Sequence, residues 1–272
     1  MGDKKTPSAS LNTALTPEQL MSAMTMYGHA AVSAVPSKEK TFLRQVLSYR
    51  QGGIGSMTKP RCVILGASPD ANISDWSSCL RQDDYLVCAD GGYLLAQQAG
   101  VLPQLVVGDF DSSPVPSHLS CEVIQLPVRK DDTDTMVCLK EGIRRGFQDF
   151  LLLGMTGGRP DHTFANFSAL SYLAQRGLRG EIIDREWHYR VLADEEWLVT
   201  EHIGCPFAVF PFGCGECHVT LDGFLYEGED ILLQADFPMG VSNTVTASPA
   251  LVRVRSTALV MLKKWQPQSH RL

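Results

Sequence analysis

The stretch Leu105 to Ser113, "LVVGDFDSS", runs an apolar segment straight into two aspartates, Asp109 and Asp111, spaced one residue apart. Two carboxylates on one side of a backbone suit a hard cation such as Mg²⁺, which takes oxygen ligands. The alternative is a polar turn that closes a strand, because Gly, Asp and Ser favour turns for local backbone reasons. A second acidic group lies in "PVRKDDTDTMVCLKEGI", where Asp131, Asp132 and Asp134 follow Arg129 and Lys130 at the start of an expected helix. One acid is enough to cap a helix, and three repel one another unless a cation or a base compensates. A third stretch, "GGRPDHTFANF", supplies Gly157, Gly158, Arg159, Asp161, His162 and Asn166. Arg159 is suited to clamping a phosphate and Asp161 to orienting or deprotonating a hydroxyl. The alternative for Asp161 is a helix cap, with Pro160 in an atypical place. His162 is expected to be an ordinary surface histidine.

Glycine pairs follow two apolar runs: Gly91-Gly92 after "VCAD", and Gly157-Gly158 before Pro160. Such glycines let backbone approach a ligand closely, and free N–H groups at a helix start favour phosphate. Neither a P-loop nor a G-x-G-x-x-G pattern occurs, so the standard phosphate cradles are missing. Cys214-x-x-Cys217-His218 has the form of a haem-attachment or zinc pattern. It sits between two strand-like runs with no second Cys-x-x-Cys, and is expected to be a hairpin turn.

These residues need a frame. "CVILGAS", "YLVCADGG", "LVVGDFD", "EVIQLP" and "FLLLGMTGG" are short apolar runs, with helical stretches between several of them. Continuous apolar strands alternating with helices predict a parallel sheet covered on both faces. Four of the runs end in marked residues: Gly66; Asp90-Gly91-Gly92; Gly108-Asp109-Phe110-Asp111; and Gly154 through Arg159. Open α/β sheets gather their functional residues beyond the carboxyl ends of their strands. After about residue 187 the helical period stops. "HYRVLAD", "EWLVTEH", "PFAVFPF", "CHVTLDG", "VSNTVTA", "ALVRVRS" and "ALVMLKKW" then predict strands of a small sandwich. The fold class expected is α/β: an N-terminal three-layer α/β domain with a mainly parallel sheet, followed by a C-terminal all-β sandwich domain. The boundaries expected are a helical or partly disordered extension over 1–57, an α/β nucleotide-binding domain over 58–186 and the β domain over 187–272. Within the extension, helices are expected from Thr16 and from Ser37.

Composition narrows the function classes. The 272 residues are 44% hydrophobic and 20% charged, which suits a packed core. The net charge of −6 argues against a nucleic-acid partner. No apolar run is long enough to span a bilayer. The N-terminus lacks the apolar core of a signal peptide, and the 8 cysteines do not form a disulfide framework. A reducing cytoplasm is the expected compartment.

Taken together, "ADGG", "VGDFDS", "KDDTD", "GGRPDH" and, far downstream, "GVSN" occur in the order and approximate spacing of the thiamine pyrophosphokinases, and residues 61–264 resemble that family. The resemblance implies an α/β nucleotide domain and a β-sandwich paired as a homodimer. It implies diphosphate transfer from ATP to the hydroxyl of thiamine, releasing AMP. It implies that Asp109, Asp111 and Asp134 hold Mg²⁺ and the ATP phosphates, and that Asp161 meets the reacting end of thiamine. Asp90, Gly91 and Gly92 would line the nucleotide pocket, with Lys130, Gly157, Gly158 and Arg159 as further binding residues. Ser242 and Asn243 would reach the thiamine ring across the dimer interface. The sequence departs from the family in two places. Thr244 follows "GVSN" where some members carry Glu, and "STALVMLKKW" is aliphatic where some carry a thiamine-stacking Trp. Two other readings stand beside this one: a pyrophosphokinase for another small alcohol such as a hydroxymethyl pterin, and a non-catalytic nucleotide- or thiamine-sensing module.

Overall fold

Six strands of four or five residues form the parallel part of the structure, a computed structural model: β1 (Cys62–Leu65), β2 (Tyr85–Ala89), β3 (Leu105–Gly108), β4 (Glu122–Gln125), β5 (Asp149–Leu153) and β6 (Arg179–Ile183). The residues described are 60–71, 79–110 and 121–264, all within one unit, Lys59–Leu272. The expected helices of 1–57, together with Asp111 and Trp265, lie outside the described residues. The parallel strands lie in the order β6-β5-β1-β2-β3-β4. β1 and β3 are buried along their whole length, as a strand covered on both faces must be.

Among the described residues, three helices cover this sheet: α1 (Gly92–Gln98), α2 (Asp134–Arg144) and α3 (Pro160–Ala174). Cys138 and Leu139 of α2 and Phe167, Leu170 and Leu173 of α3 pack on one face, against Ile64, Val87, Leu105 and Leu152. Tyr93 and Ala96 of α1 pack on the other, against Val63, Leu65, Leu86 and Leu151. Gly92 opens α1 where a Cβ would lie 2.1 Å from the Leu65 carbonyl oxygen, so the helix can start only on a glycine. Pro160 opens α3 at its first turn, the position its ring favours, rather than in an atypical place.

β6 was not among the apolar runs. Its sequence, RGEII, buries alternate residues, and Glu181 meets His188 across the strand pair at 2.8 Å. The chain then reverses tightly: Asp184 Oδ1 accepts hydrogen bonds from the Glu186 and Trp187 amides. β7 (Trp187–Ala193) returns antiparallel to β6, so the edge of the parallel sheet is paired rather than left open. The remaining strands are β8 (Glu196–Val199), β9 (Pro206–Pro211), β10 (Glu216–Asp222), β11 (Gly228–Gln234), β12 (Asn243–Thr244), β13 (Ala250–Arg255) and β14 (Thr257–Lys263). β11 was another strand without a sequence signal, its alternation broken by Glu229 and Asp230.

The expected boundary at residues 186 and 187 falls on the β6–β7 reversal, but hydrogen bonding does not stop there. One ten-stranded sheet runs β12-β9-β14-β7-β6-β5-β1-β2-β3-β4, and a second, antiparallel sheet runs β11-β10-β13-β8. The antiparallel wing of the large sheet packs on the small one through Phe207, Val209, Val260 and Leu262 against Cys217, Val219, Val252 and Val254. The sandwich therefore shares one of its layers with the α/β half.

At the opposite end of α2 from the acids, Glu141 binds Arg144 and Arg145 at 2.7 Å. The hydrogen bond from Arg144, helped by Arg145, outweighs the cost of burial and lowers the Glu141 carboxyl from 4.5 to about 2. A lowered native pKa adds stability that is complete above the unfolded value and fades as pH falls toward the native one. Replacing Glu141 by Gln is therefore expected to lower the melting temperature at pH 7. The gap to the parent should close as pH falls from about 4.5 to 2, and an equal gap at pH 7 and pH 3 in thermal melts would contradict this linkage.

Candidate functional site

Strand order reverses between β1 and β5, since β2, β3 and β4 follow on one side of β1, and β5 and β6 on the other. The loops leaving these two strands must part there, which opens a crevice at the carboxyl edge. The loop after β1 and the loop after β5 are then cross-tied. Ser68 donates its amide to the Gly154 carbonyl at 3.1 Å and its hydroxyl to the Thr156 carbonyl at 2.5 Å. The Gly158 amide donates to Asp70 Oδ2 at 2.8 Å. From below, the buried Asn166 amide donates to the Met155 carbonyl at 2.8 Å. Asn166, read earlier as a candidate for chemistry, is thus a loop support. Gly157 and Gly158 have φ of +90° and +62°, a conformation that L side chains rarely adopt.

The acids sort themselves by partner. Asp109 follows β3, and its Oδ2 lies 2.9 Å from Lys130 Nζ. Asp134 opens α2, and its Oδ1 lies 3.1 Å from the same ammonium. Residues 25 apart in sequence therefore share one cation at the sheet edge. The α2 cap is Thr133, whose hydroxyl accepts the Met136 amide at 3.2 Å, so no aspartate is consumed as a cap. Asp132 turns away to Lys140 at 2.6 Å, and Asp131 is exposed. Burial works against the Lys130 charge, but the Asp109 and Asp134 carboxylates beside it raise its pKa above the ordinary lysine value. Asp134 Oδ1 is buried and, although within ion-pair range of Lys130, has no hydrogen bond of normal geometry. Thr135, next along α2, lies 3.8 Å from the Met155 sulfur, which sets the acid cluster beside the loop after β5.

The other expected residues fall around this edge or far from it. Asp90 follows β2 with φ +46°, and its amide donates to the Val107 carbonyl beside Gly108. Gly91 caps α1 without a side chain. Arg159 and Asp161 pair with each other at 2.6 Å, both largely exposed, and the Arg159 guanidinium lowers the Asp161 carboxyl below its usual range. Arg159 takes the α3 cap position and Asp161 stands in the first turn, so Asp161 is not the cap. His162 is exposed, as expected.

Ser242 and Asn243 are elsewhere. Asn243 belongs to β12, and eight strand spacings separate β12 from β3, roughly 38 Å along the sheet. The buried Asn243 amide is spent on Tyr226, accepting its N–H and donating to its carbonyl, both at 3.0 Å. Ser242 is exposed with φ +62°. Cys214 donates to the Thr257 carbonyl, and Cys217 is buried within β10. Among the described residues, no group of three or more His, Cys, Asp or Glu side chains could hold a metal ion. The third acid of the expected set, Asp111, is not among them. Sequence reasoning overlooked Ser68 and Asp70, although "GASPDA" follows β1 just as "GDFDS" follows β3.

Substituting Gly158 by Ala places a Cβ 2.6 Å from the Pro69 ring at a positive φ. The expected cost is about 1–3 kcal/mol, read as a melting temperature lower by about 2–4 °C per kcal/mol. An unchanged melting temperature would mean that the loop does not hold this conformation.

Known proteins resemble this chain in sequence and in fold. Residues 76–181 match the family model "Thiamin pyrophosphokinase, catalytic domain". The chain is 22% identical over 206 residues to the thiamine pyrophosphokinase of Bacillus subtilis (strain 168), covering 74% of this chain and 96% of that protein. The crystal structure of the Bacillus subtilis thiamine pyrophosphokinase superposes with a TM-score of 0.68 at 22% identity, over 76% of this chain and 100% of that one. The structure of thiamin pyrophosphokinase from Geobacillus thermodenitrificans gives 0.66 at 25% identity, over 76% and 99%. The resemblance read from the five motifs is borne out, and the pterin and sensor readings find no support in these matches.

Proposed function

We propose that this chain, whose residues 76–181 carry the thiamin pyrophosphokinase catalytic domain, transfers a diphosphate group from Mg-ATP to the hydroxyl of thiamine, giving thiamine diphosphate and AMP. The observation that supports this best is the meeting of Asp109, Asp134 and Lys130 at the carboxyl edge, beside the loop that leads into Arg159 and Asp161. The thiamine oxygen would attack the β-phosphorus, the bond from that phosphorus to the oxygen shared with the α-phosphate would break, and AMP would leave. An in-line displacement of this kind demands positioning and charge neutralisation more than a strong base.

The residues present fit a magnesium ion. The donors are oxygens only, two carboxylates already gather around one cation, and Asp134 Oδ1 is buried without a proper hydrogen bond. Asp109 and Asp134, with Asp111 by family resemblance, would hold the ion, which when bound would neutralise phosphate charge. Lys130 is placed to exchange its carboxylate partners for phosphate oxygens, and Arg159 to exchange Asp161 for the same. Asp161, thereby released, would orient the alcohol and take its proton. Asp90, Gly91 and Gly92 would border the nucleotide.

The distance between β12 and β3 supports a homodimer, because Ser242 cannot reach the Asp109 edge of its own chain. Ser242 of a second copy would meet the thiamine ring, and Asn243 would shape that turn through Tyr226. All eight cysteines are free thiols, which suits the reducing cytoplasm we assign to the protein. Among the described residues, no helix is long and apolar enough to cross a membrane.

Incubating protein, Mg-ATP and thiamine is expected to release AMP and thiamine diphosphate, and absence of both would end this reading. Asp134→Ala is expected to lose about 100-fold or more of AMP release, and Asp132→Ala less than about threefold, because only Asp134 shares the Lys130 ammonium. Equal losses would contradict the sorting of these acids. For the shared site, Asp109→Ala and Ser242→Tyr proteins are expected to be inactive alone. Unfolded and refolded together, they should recover roughly a quarter of normal activity, since half the dimers are mixed and each holds one intact site. A mixture that stays inactive would place the whole site within one chain.

A further inference from the structure

Asp184 lies just past the carboxyl end of β6, next to the loop that leaves β5. Its two oxygens face two different pieces of chain. Oδ1 accepts the Glu186 and Trp187 amides at 2.8 and 2.7 Å and so makes the β6–β7 reversal. Oδ2 accepts the Thr156 hydroxyl at 2.8 Å and the Tyr189 hydroxyl at 3.0 Å. Four donors match the four acceptor positions of an ionised carboxylate. Burial first, and then the Asp184 charge, raise the Tyr189 phenol pKa, so Tyr189 remains a donor.

Thr156 is the centre of the β5–α3 loop. Its carbonyl holds Ser68, its neighbour Met155 is held by Asn166, and Gly158 is held by Asp70. Of these four grips, only the one from Asp184 comes from the antiparallel side of the sheet. It anchors the loop to a turn that is itself rigid, because the same carboxylate closes it.

We infer that Asp184 is a positioning residue for the β5–α3 loop, acting through Thr156 to fix the backbone that presents Gly158, Arg159 and Asp161. The role in turnover rests on the reading given under Proposed function; the hold on the loop does not. A loop displaced by an ångström at a reacting centre costs on the order of 100-fold in rate.

The test compares four variants of the full chain. Thr156→Val removes the donor at constant shape, and Thr156→Ser restores it. Asp184→Asn tests the carboxylate, and Tyr189→Phe removes a hydrogen bond to the same Oδ2 that does not involve the loop. Thr156→Val and Asp184→Asn are expected to lower kcat about 10–100-fold, with KM for ATP and thiamine within about threefold. Thr156→Ser is expected to recover kcat to within about threefold, and Tyr189→Phe to leave it within about twofold. Deuterium uptake of a peptide covering 155–159 should quicken about tenfold in Thr156→Val and Asp184→Asn but not in Tyr189→Phe. A kcat within twofold of the parent in Thr156→Val, or a loss that Ser does not rescue, would overturn the catalytic part. Unchanged uptake over 155–159 would overturn the hold itself. If the parent protein forms no AMP, the reaction assignment fails and the uptake comparison alone decides whether Asp184 holds the loop.

Discussion

Asp109 and Asp134 stand close enough to share the ammonium of Lys130, and two carboxylates at that spacing repel unless a cation lies between them. Much of the local design follows from this requirement. Thr133 caps α2 in place of an acid, which leaves Asp134 free to face Asp109. Lys140 draws Asp132 off, so the edge does not carry a third uncompensated charge from the same stretch. Burial works against the Lys130 charge, and its two partners more than offset that. The protein thus sets one cation of its own between the two carboxylates, which relieves their repulsion and leaves the three groups with a net negative charge.

The backbone around this edge is held in conformations that an unsupported chain avoids. Asp90 and Phe110, each just beyond a buried strand, have φ of +46° and +55°. Gly157 and Gly158 are left-handed in succession. Such conformations persist where the surroundings over-determine them. Here the buried Phe110 ring anchors one turn in the core, and four side chains from three parts of the chain grip the other. The Gly158 amide is already donated to Asp70, so the glycine pair does not offer a wholly empty phosphate cradle, contrary to what two adjacent glycines before a helix suggest. An anion arriving there has a carboxylate to displace.

The sandwich is joined to the α/β half through the sheet itself. The β6–β7 reversal pairs a parallel edge with an antiparallel strand, and the wing beyond it supplies one layer of the sandwich. A sheet is stiff along its hydrogen-bonding direction. The same continuity that fixes β12 relative to β3 also keeps them eight strands apart in the sheet.

What could be read from the residue order alone was whatever depends on short-range pattern. Apolar runs without alternation announced β1, β2, β3 and β5, because strands buried on both faces need no polar positions, while β4 lies mostly exposed at the sheet edge. Asp109 was legible because a charge at the tip of such a run has nowhere to go but the sheet edge. β6 and β11 were not legible, since Glu181 and the Glu229-Asp230 pair break the apolar pattern and find compensation only in tertiary contacts such as His188 and Arg255. Which of Asp131, Asp132 and Asp134 would face Asp109 was likewise beyond the sequence. That choice depends on the phase of α2 and on where Lys130 and Lys140 come to lie, which packing decides. The roles of Ser68, Asp70 and Asp184 belong wholly to the folded chain, because each acts on a loop 28 to 88 residues away. Local sequence specifies which strands can form and where their polar ends fall; only the order of strands in the sheet brings those ends together.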